Sequence, residues 1–348
     1  MSRRALTLTV ASTLVLLLAV VGSVLPVPYV ALMPGPTTDT LGANAKGEPY
    51  VKIEGRETFP DDGHLNFTTV TYRGGPENRI DLFTALRGWL QDDVAIVPEE
   101  TIFPRNESQQ QVDEENSRQM RDSQYNAEAA ALHHLKIPTT TQVVVDAVQK
   151  GKPADGHLKP GDELLNLDGT KVTSVSEVTR RMGDRRPGSP AELEYRRQGK
   201  TEKVTLTTTP SDDGKRAVIG IVLTERHKLP FKIDISVGDV GGPSAGLMFS
   251  LAIIDKLDRA SLTGGKFIAG TGTITAEGVV GPIGGIQQKM RAAADAGATV
   301  FLTPKDNCPA AAAARPDGLR LIRADTLDGT VGALRALAAG RTDLPACS

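Results

Sequence analysis

The chain has 348 residues, a length that suggests two or three domains. Its 40 lysines and arginines nearly balance 42 acidic residues, so the charge gives no reason to expect nucleic acid as a partner. Aromatic residues make up 4%, so aliphatic side chains must form the cores. The 35 glycines and 22 prolines favour a loop-rich, strand-containing globular protein over a helical bundle.

The first thirty residues differ from the rest of the chain. Arg3 and Arg4 precede an almost uninterrupted apolar run, residues 5–27. Roughly 20 apolar residues cross a bilayer as a helix, so we predict a transmembrane anchor over residues 1–30. The two arginines favour a cytoplasmic N-terminus and place everything after the span outside the membrane. A cleaved signal peptide is the alternative, although its apolar region would be shorter and a small-x-small cleavage site would follow it.

The region predicted to follow the anchor, residues 31–125, mixes short strand-like runs with helix-like stretches. Residues 64–72 alternate in part between apolar and polar, as a half-buried strand does. Asp81 stands at the start of a helix-like stretch that ends near Leu90. Residues 106–124 are so polar that they predict a solvated helix or a connector. We assign no chemistry to this extracytoplasmic N-terminal region.

A third segment, residues 126–210, is rich in β-branched strands and tight turns. Its clearest pattern is Leu-Lys-Pro-Gly-Asp-Glu-Leu-Leu-Asn-Leu-Asp-Gly at residues 158–169, followed by a helix that opens with Ser174 and Glu177 in a capping pattern. This segment resembles a PDZ domain of the bacterial type carried by extracytoplasmic proteases. The resemblance implies a groove that binds an extended chain terminus as an added strand. The family's carboxylate-binding loop would fall near residues 134–137, where the match is weak, so no contact is assigned there.

A β-rich spacer domain that binds nothing is the alternative interpretation of residues 126–210.

The last segment, residues 211–348, alternates strand-like and helix-like runs, as an α/β domain does. The predicted fold class is therefore α/β and α+β multidomain, with an N-terminal transmembrane helix, a PDZ-like β-rich domain and a C-terminal α/β domain.

The two cysteines, Cys308 and Cys347, lie in that last segment. Outside the cytoplasm a disulfide between them would persist and would tie the C-terminal tail to the domain. Two unrelated thiols are the alternative, since sequence alone does not establish the geometry. Two cysteines do not make a metal site, and we predict neither a metal nor a cofactor.

The stretch Gly-Gly-Pro-Ser-Ala-Gly at residues 241–246 places Ser244 before an apolar helix with no histidine nearby. Lys289 is the economical candidate for a base, provided that it is neutral. Its ordinary pKa of about 10.4 falls by up to about 3–5 units when the amine is fully buried. The apolar residues around it in sequence predict such a dry pocket; they are Val279, Val280, Ile283, Ile286 and Met290. A helix-capping serine and a solvated lysine are the alternative.

Two sequence blocks, in the right order, resemble Lon-type proteases. Gly242-Pro243-Ser244-Ala245-Gly246 is similar to that family's nucleophile motif, and residues 271–289 are similar to its lysine block. The resemblance extends from about Phe231 to Pro304 and implies that Ser244 is the nucleophile and Lys289 the general base. It also implies supporting positions at Thr271, whose hydroxyl could bond the lysine, and at Gly242 and Pro243.

Two departures from the Lon pattern stand out. Position 241 is glycine where the family often has an acidic residue, and the sequence has no Gly-x-x-x-x-Gly-Lys-Ser/Thr phosphate loop. In its order of anchor, PDZ-like domain and Lon-type domain, the chain is similar to the YlbL-type membrane-anchored proteases of bacteria.

The leading hypothesis is thus an ATP-independent serine endopeptidase on the outer side of a bacterial cytoplasmic membrane, acting on extended or unfolded polypeptides. A membrane-tethered PDZ adaptor without catalytic activity is the alternative. An HtrA-type protease is disfavoured because no Gly-Asn-Ser-Gly-Gly motif is present. A homo-oligomer is left open, since Lon-type domains form rings in their ATP-driven relatives.

Overall fold

The structure, a computed structural model, describes residues 3–60, 62–211, 214 and 216–347. The chain forms two compact units. One comprises Met1–Ile137 together with Phe231–Ser348, and the other is the intervening Pro138–Pro230. The second unit is therefore an insertion into the first, and its ends differ from the predicted boundaries at residues 125 and 210. Residue 125 lies inside one continuous helix, Gln109–His134, which belongs to the first unit.

Within its described residues, the segment before the insertion contributes four helices and four strands. In chain order they are α1 (Arg3–Val24), β1 (Tyr29–Asp39), β2 (Val51–Glu54), β3 (His64–Arg73), α2 (Leu82–Trp89), β4 (Ala95–Pro98), α3 (Glu99–Ile102) and α4 (Gln109–His134). Asp81 caps α2 by accepting a hydrogen bond from Thr84 N–H, so the predicted start of that helix is confirmed. The polar segment that was predicted as a solvated helix or connector forms most of α4.

The inserted unit is a small β-rich domain, and its described residues include one helix. Its elements are β5 (Thr140–Val148), β6 (Glu163–Leu167), β7 (Thr170–Lys171), α5 (Val175–Gly183), β8 (Pro190–Arg197), β9 (Lys200–Thr207), β10 (Thr209–Pro210), β11 (Ala217–Val218) and β12 (Ile221–Lys228). The main sheet has the order β12-β5-β6-β8-β9, which leaves β12 at an edge. As the capping pattern predicted, the Ser174 side chain accepts a hydrogen bond from Glu177 N–H at the start of α5.

The segment after the insertion returns to the first unit. It contains β13 (Lys232–Ile235), α6 (Gly246–Leu257), β14 (Phe267–Gly270), β15 (Thr273–Ile274), β16 (Val280–Gly281), α7 (Ile286–Asp295), β17 (Val300–Pro304), a 3₁₀ turn (Lys305–Asn307), α8 (Cys308–Ala313), β18 (Arg320–Ala324) and α9 (Leu327–Ala338). Cys308 and Cys347 form a disulfide with their Cα atoms 4.9 Å apart.

A six-stranded mixed sheet organises the first unit, in the order β18-β17-β14-β3-β1-β4. Strands β18, β17, β14 and β3 run parallel to one another, whereas β1 pairs antiparallel with both β3 and β4. Residues from both sides of the insertion therefore build one sheet. Helix α6 packs against β3 and α4 and is buried on every side through its first ten residues, as its apolar sequence predicted.

Helix α1 is 22 residues long and is apolar enough to cross a membrane by length and composition. Within its described residues Gly22 alone is buried, so the rest of its surface is available to lipid.

Candidate active site

Helix α4 holds the loop that carries Ser244. The Gly242 N–H donates a 2.9 Å hydrogen bond to the carbonyl oxygen of Asn116, and the Ser123 hydroxyl donates a 3.0 Å bond to the carbonyl oxygen of Pro243. Gly242 has a φ of +86°, in the left-handed region that favours glycine. Hydrogen bonds to α4 thus fix the two residues before the serine, although the sequence had predicted only a solvated helix or a connector for most of that helix.

The serine itself does not cap helix α6. That helix begins at Gly246, and its N-cap is Ala245 with no side-chain capping bond. The Ser244 hydroxyl oxygen instead lies 2.6 Å from the Lys289 Nζ atom. The geometry therefore does not support the helix-capping alternative for this serine.

The packing around Gly241 accounts for the absence of the acidic residue that the Lon family often has before Gly-Pro-Ser. A Cβ atom built on Gly241 would lie 2.9 Å from the Asn116 Cβ, closer than real Cβ contacts. The close packing of α4 against the serine loop therefore disfavours a side chain at this position, since Asn116 would have to shift.

Lys289 lies on α7, one turn after a glycine that sets the start of the helix. Gly285 is the N-cap with a φ of +68°, and a Cβ there would lie 2.6 Å from Val70 Cγ2. The lysine is 4% exposed, and burial lowers its pKa from 10.5 to about 7. An amine with this pKa is partly neutral at neutral pH, which a general base requires.

The structure buries three of the five apolar residues that were predicted to surround Lys289, and Ile283 is partly buried. Val280, Ile286 and Met290 are buried, but Val279 is 52% exposed and cannot help to exclude water from the amine. The prediction failed at Val279 because consecutive side chains of an extended segment point to opposite sides, and Val280 takes the buried side.

Thr271 connects the serine and the lysine. This fully buried side chain accepts a 3.2 Å hydrogen bond from Lys289 Nζ and donates a 2.9 Å bond to the Ser244 carbonyl oxygen. The Gly272 N–H donates to the same carbonyl at 2.8 Å. The Thr271 hydroxyl and the Gly272 N–H therefore fix the Ser244 carbonyl group. The same Thr271 hydroxyl also positions the lysine amine.

The start of α6 also offers free backbone donors. The Gly242 and Leu247 N–H groups are bonded to carbonyl oxygens of Asn116 and Gly272. Between them, the N–H groups of Ser244, Ala245 and Gly246 have no backbone acceptor in the part of the chain that the structure describes. Such donors at a helix N-terminus can stabilise a developing oxyanion.

Asn307 holds the loop that precedes the helix of Lys289, and sequence reasoning missed this residue. Its side-chain oxygen accepts from the Ile283 N–H at 3.0 Å, and its side-chain nitrogen donates to the Ile283 carbonyl at 2.9 Å. Ile283 belongs to the loop that leads into α7, so Asn307 helps to fix the helix of Lys289. An isolated asparagine carries no sequence signal for this contact.

Asn116 and Ser123 on α4 were missed as well. A usable signal existed for the helix: Ser108 and Gln111 form a reciprocal capping box at its start. The spacing Ser-x-x-Gln predicts a helix N-terminus, but it does not tell which surface the helix will cover.

The inserted unit has a cavity of about 460 Å³ between α5 and the chain that enters β12. Its apolar walls include Val178, Met182, Leu193, Ile219 and Leu223, and Lys152 and Arg216 also line it. The sequence placed the family's carboxylate-binding loop near residues 134–137. These residues lie at the end of α4, in the other unit. Among the described residues, no group of three or more histidines, cysteines or acidic residues could hold a metal ion.

Two protein-family models match parts of the chain. Residues 111–208 match the PDZ domain family, and residues 227–328 match the Lon protease (S16) C-terminal proteolytic domain. The first match begins within α4, which packs in the other unit.

Several curated relatives are similar to parts of the chain. The Lon protease of Metamycoplasma arthritidis is 46% identical over 66 residues, which are 19% of this chain and 8% of that protein. Lon protease 1 of Bacillus subtilis is 35% identical over 95 residues, 27% of this chain and 12% of that protein. A DegP-like protein of Pseudomonas fulva, described by name as a periplasmic serine endoprotease, is 38% identical over 77 residues, 22% and 16% of the two chains.

The chain therefore spans less than a fifth of the length of each of these relatives. Among solved structures, the PDZ domain of an SdrC-like protein from Listeria monocytogenes is 27% identical and covers 23% of this chain and 85% of that one, with a TM-score of 0.22. Taken together, the matches show that this chain combines a PDZ domain with a C-terminal proteolytic domain of the Lon protease type.

Proposed function

We propose that this protein is an ATP-independent serine endopeptidase in which Ser244 and Lys289 form the catalytic dyad. The observation that carries the proposal is the 2.6 Å distance between the Ser244 hydroxyl and an amine that is 4% exposed. A serine hydroxyl is a weak nucleophile until a neighbouring base removes its proton. Burial supplies that base by lowering the lysine's pKa to about 7.

The steps follow from the positions of these groups. The neutral Lys289 amine takes the Ser244 proton as the serine oxygen attacks the scissile carbonyl carbon. The free N–H groups at residues 244–246 stabilise the negative charge on the carbonyl oxygen. The resulting ammonium donates its proton to the leaving amine, and water then hydrolyses the acyl-enzyme with the lysine again acting as the base. Thr271 keeps the amine directed at the serine throughout.

Sequence features support ATP independence and a location outside the cytoplasm. The 348 residues contain no phosphate-loop motif, so the chain has no recognisable motor of its own. Arg3 and Arg4 are the first two residues of α1, and their positive charge favours a cytoplasmic N-terminus and a catalytic unit on the other side. The disulfide between Cys308 and Cys347 fits an oxidising compartment.

The inserted PDZ domain would present the substrate. Strand β12 is at the edge of its sheet, and the apolar cavity lies between that strand's entry and α5. An extended polypeptide terminus can pair with such an edge and place one apolar side chain in the cavity. We propose that the partners are extended or partly unfolded polypeptides.

The dyad is tested with full-length protein in detergent or vesicles and an unstructured polypeptide such as casein, with cleavage followed by mass spectrometry and no added ATP. Ser244→Ala should abolish cleavage. Lys289→Arg should do the same, because a guanidinium cannot be deprotonated at working pH. Ser236→Ala, an exposed serine in the same segment, is the matched control and should retain activity. Wild-type activity in Ser244→Ala would refute the assignment.

The PDZ groove is tested separately by blocking it. Thr179 is exposed and lines the cavity, whereas Ser176 is exposed one turn earlier on α5 and is not among the lining residues. Thr179→Lys should weaken binding of a peptide with a free apolar C-terminus, and Ser176→Lys should not. The adaptor alternative predicts peptide binding by the wild-type protein with no cleavage of any polypeptide.

A further inference from the structure

Helix α2 presents an apolar face to solvent. Its outward side chains are 44% exposed at Phe83, 41% at Leu86 and 56% at Trp89, and Leu90, which follows the helix, is 87% exposed. The opposite face, with Ala85 and Gly88, is buried against the sheet, where a Cβ on Gly88 would lie 2.4 Å from Ile96 Cδ1. A contiguous group of large apolar side chains on a surface marks an interaction site.

This apolar face adjoins the end of the predicted membrane span. The Leu82 N–H donates a 3.2 Å hydrogen bond to the Leu25 carbonyl, directly after α1 ends. The Phe83 ring covers Gly22, because a Cβ on Gly22 would lie 2.8 Å from Phe83 Cε2. Gly22 is two residues inside the end of α1, about 3 Å along the helix axis. Phe83 thus lies at the depth of the last turn of the span.

We propose that the outer face of α2 lies in the boundary between headgroups and acyl chains of the same bilayer that α1 crosses. The inference rests on the membrane anchoring in the proposed function. Lipid is the favoured occupant because the face is continuous with the surface of α1, whose described residues other than Gly22 are not buried. Short amphipathic helices bind membranes with the apolar face about 5–10 Å deep.

The residue types on and beside this face fit that boundary. Tryptophan is enriched at membrane interfaces, where its ring is buried and its N–H stays close to water. Arg87, the charged member of the outer face, has a stem long enough to bring its guanidinium to the headgroups. Asp92 and Asp93 come shortly after the end of α2 and are exposed. Their charges keep this end of the helix near the headgroups and out of the acyl chains. The edge of the sheet at β4, which packs on α2, would therefore face the membrane.

The chain provides its own probe, because Trp89 is its single tryptophan. Full-length protein is reconstituted in phosphatidylcholine vesicles that carry bromine either near the headgroup or deep in the acyl chains. We expect Trp89 emission to lose most of its intensity with the shallow bromines, less with the deep ones, and little with aqueous iodide. Strong quenching by iodide with no effect of brominated lipid would overturn the inference.

A matched control moves the tryptophan to the far side of the same unit. Val279 is 52% exposed and bridges to Thr326, beyond the edge strand β18 at the opposite end of the sheet from β4. In the double variant Trp89→Phe, Val279→Trp, iodide should quench and brominated lipid should not. Equal quenching of both proteins by brominated lipid would indicate general adsorption and would overturn the inference.

Flotation of the same vesicles separates this inference from the proposed anchoring. Protein that does not float with the vesicles would contradict both the anchor and the α2 contact. Protein that floats while Trp89 stays accessible to iodide would contradict the α2 contact alone. Casein cleavage by the same vesicles reports on the dyad independently of either result.

Discussion

Replacing Lys289 with methionine should stabilise the first unit while it abolishes activity, and the gain should depend on pH. The lysine's pKa is about 7 in the folded protein, against 10.5 for the free group, and burial is the cause. Between these two values the unfolded chain binds more protons than the folded one, so stability rises with pH across that window. The amine lowers the free energy of unfolding by about 4 kcal/mol at pH 7 and by about 2 kcal/mol at pH 9.

The measurable quantity is the difference in unfolding free energy between Lys289→Met and the wild-type protein. Lost hydrogen bonds of the amine, about 1 kcal/mol each, reduce the gain at every pH by a similar amount. The difference should nevertheless shrink by about 2 kcal/mol between pH 7 and pH 9. Guanidinium unfolding followed by Trp89 emission reports on this unit, because Trp89 and Lys289 lie in the same one.

The exposed Lys305 gives a control of the same chemistry, since Lys305→Met also removes one ammonium group. It should show no comparable pH-dependent gain. A difference for Lys289→Met that stays constant from pH 7 to pH 9, or a variant that is less stable at pH 7, would refute the argument that burial makes this amine a base.

Four further predictions concern the same unit. Peptide cleavage should rise with pH through a midpoint near 7, measured as kcat/KM, because the Lys289 amine must be neutral. Thr271→Val should lower kcat about tenfold to a hundredfold, since it leaves the buried amine with one partner fewer; unchanged kcat would contradict this role. Gly241→Asp should destabilise the serine loop by about 1–3 kcal/mol in denaturant unfolding, because its Cβ would contact Asn116 at 2.9 Å. Cys347→Ala opens a loop with a sequence separation of 39 and should lower the unfolding free energy by about 4 kcal/mol; thermal unfolding with and without reductant measures it.

Predictions from the sequence were most accurate for features that depend on neighbouring residues. Asp81 and Ser174 cap α2 and α5 as expected, because a cap bonds to a backbone N–H only three residues away. The apolar run of α1 and the all-round apolar surface of α6 likewise follow from composition over one helix. The Ser244 and Lys289 positions were identified from two local motifs with a fixed order.

The sequence could not predict which distant segments meet. Strands β1 and β3 belong to the sheet that also contains β14, β17 and β18, although nearly 200 residues separate β3 from β14. Pairing across such a distance depends on the whole fold, and no local periodicity records it. For this reason the sequence did not reveal that the second unit is inserted into the first.

The sequence by itself determined that the chain has a membrane-length apolar helix, a PDZ pattern and a serine and a lysine in Lon-type motifs. Only the tertiary structure decided that α4 fixes the serine loop through Asn116 and Ser123, and that the amine is buried 2.6 Å from the serine hydroxyl. The physical reason is that the lysine's pKa depends on exclusion of water, and water is excluded by residues brought together from several parts of the chain.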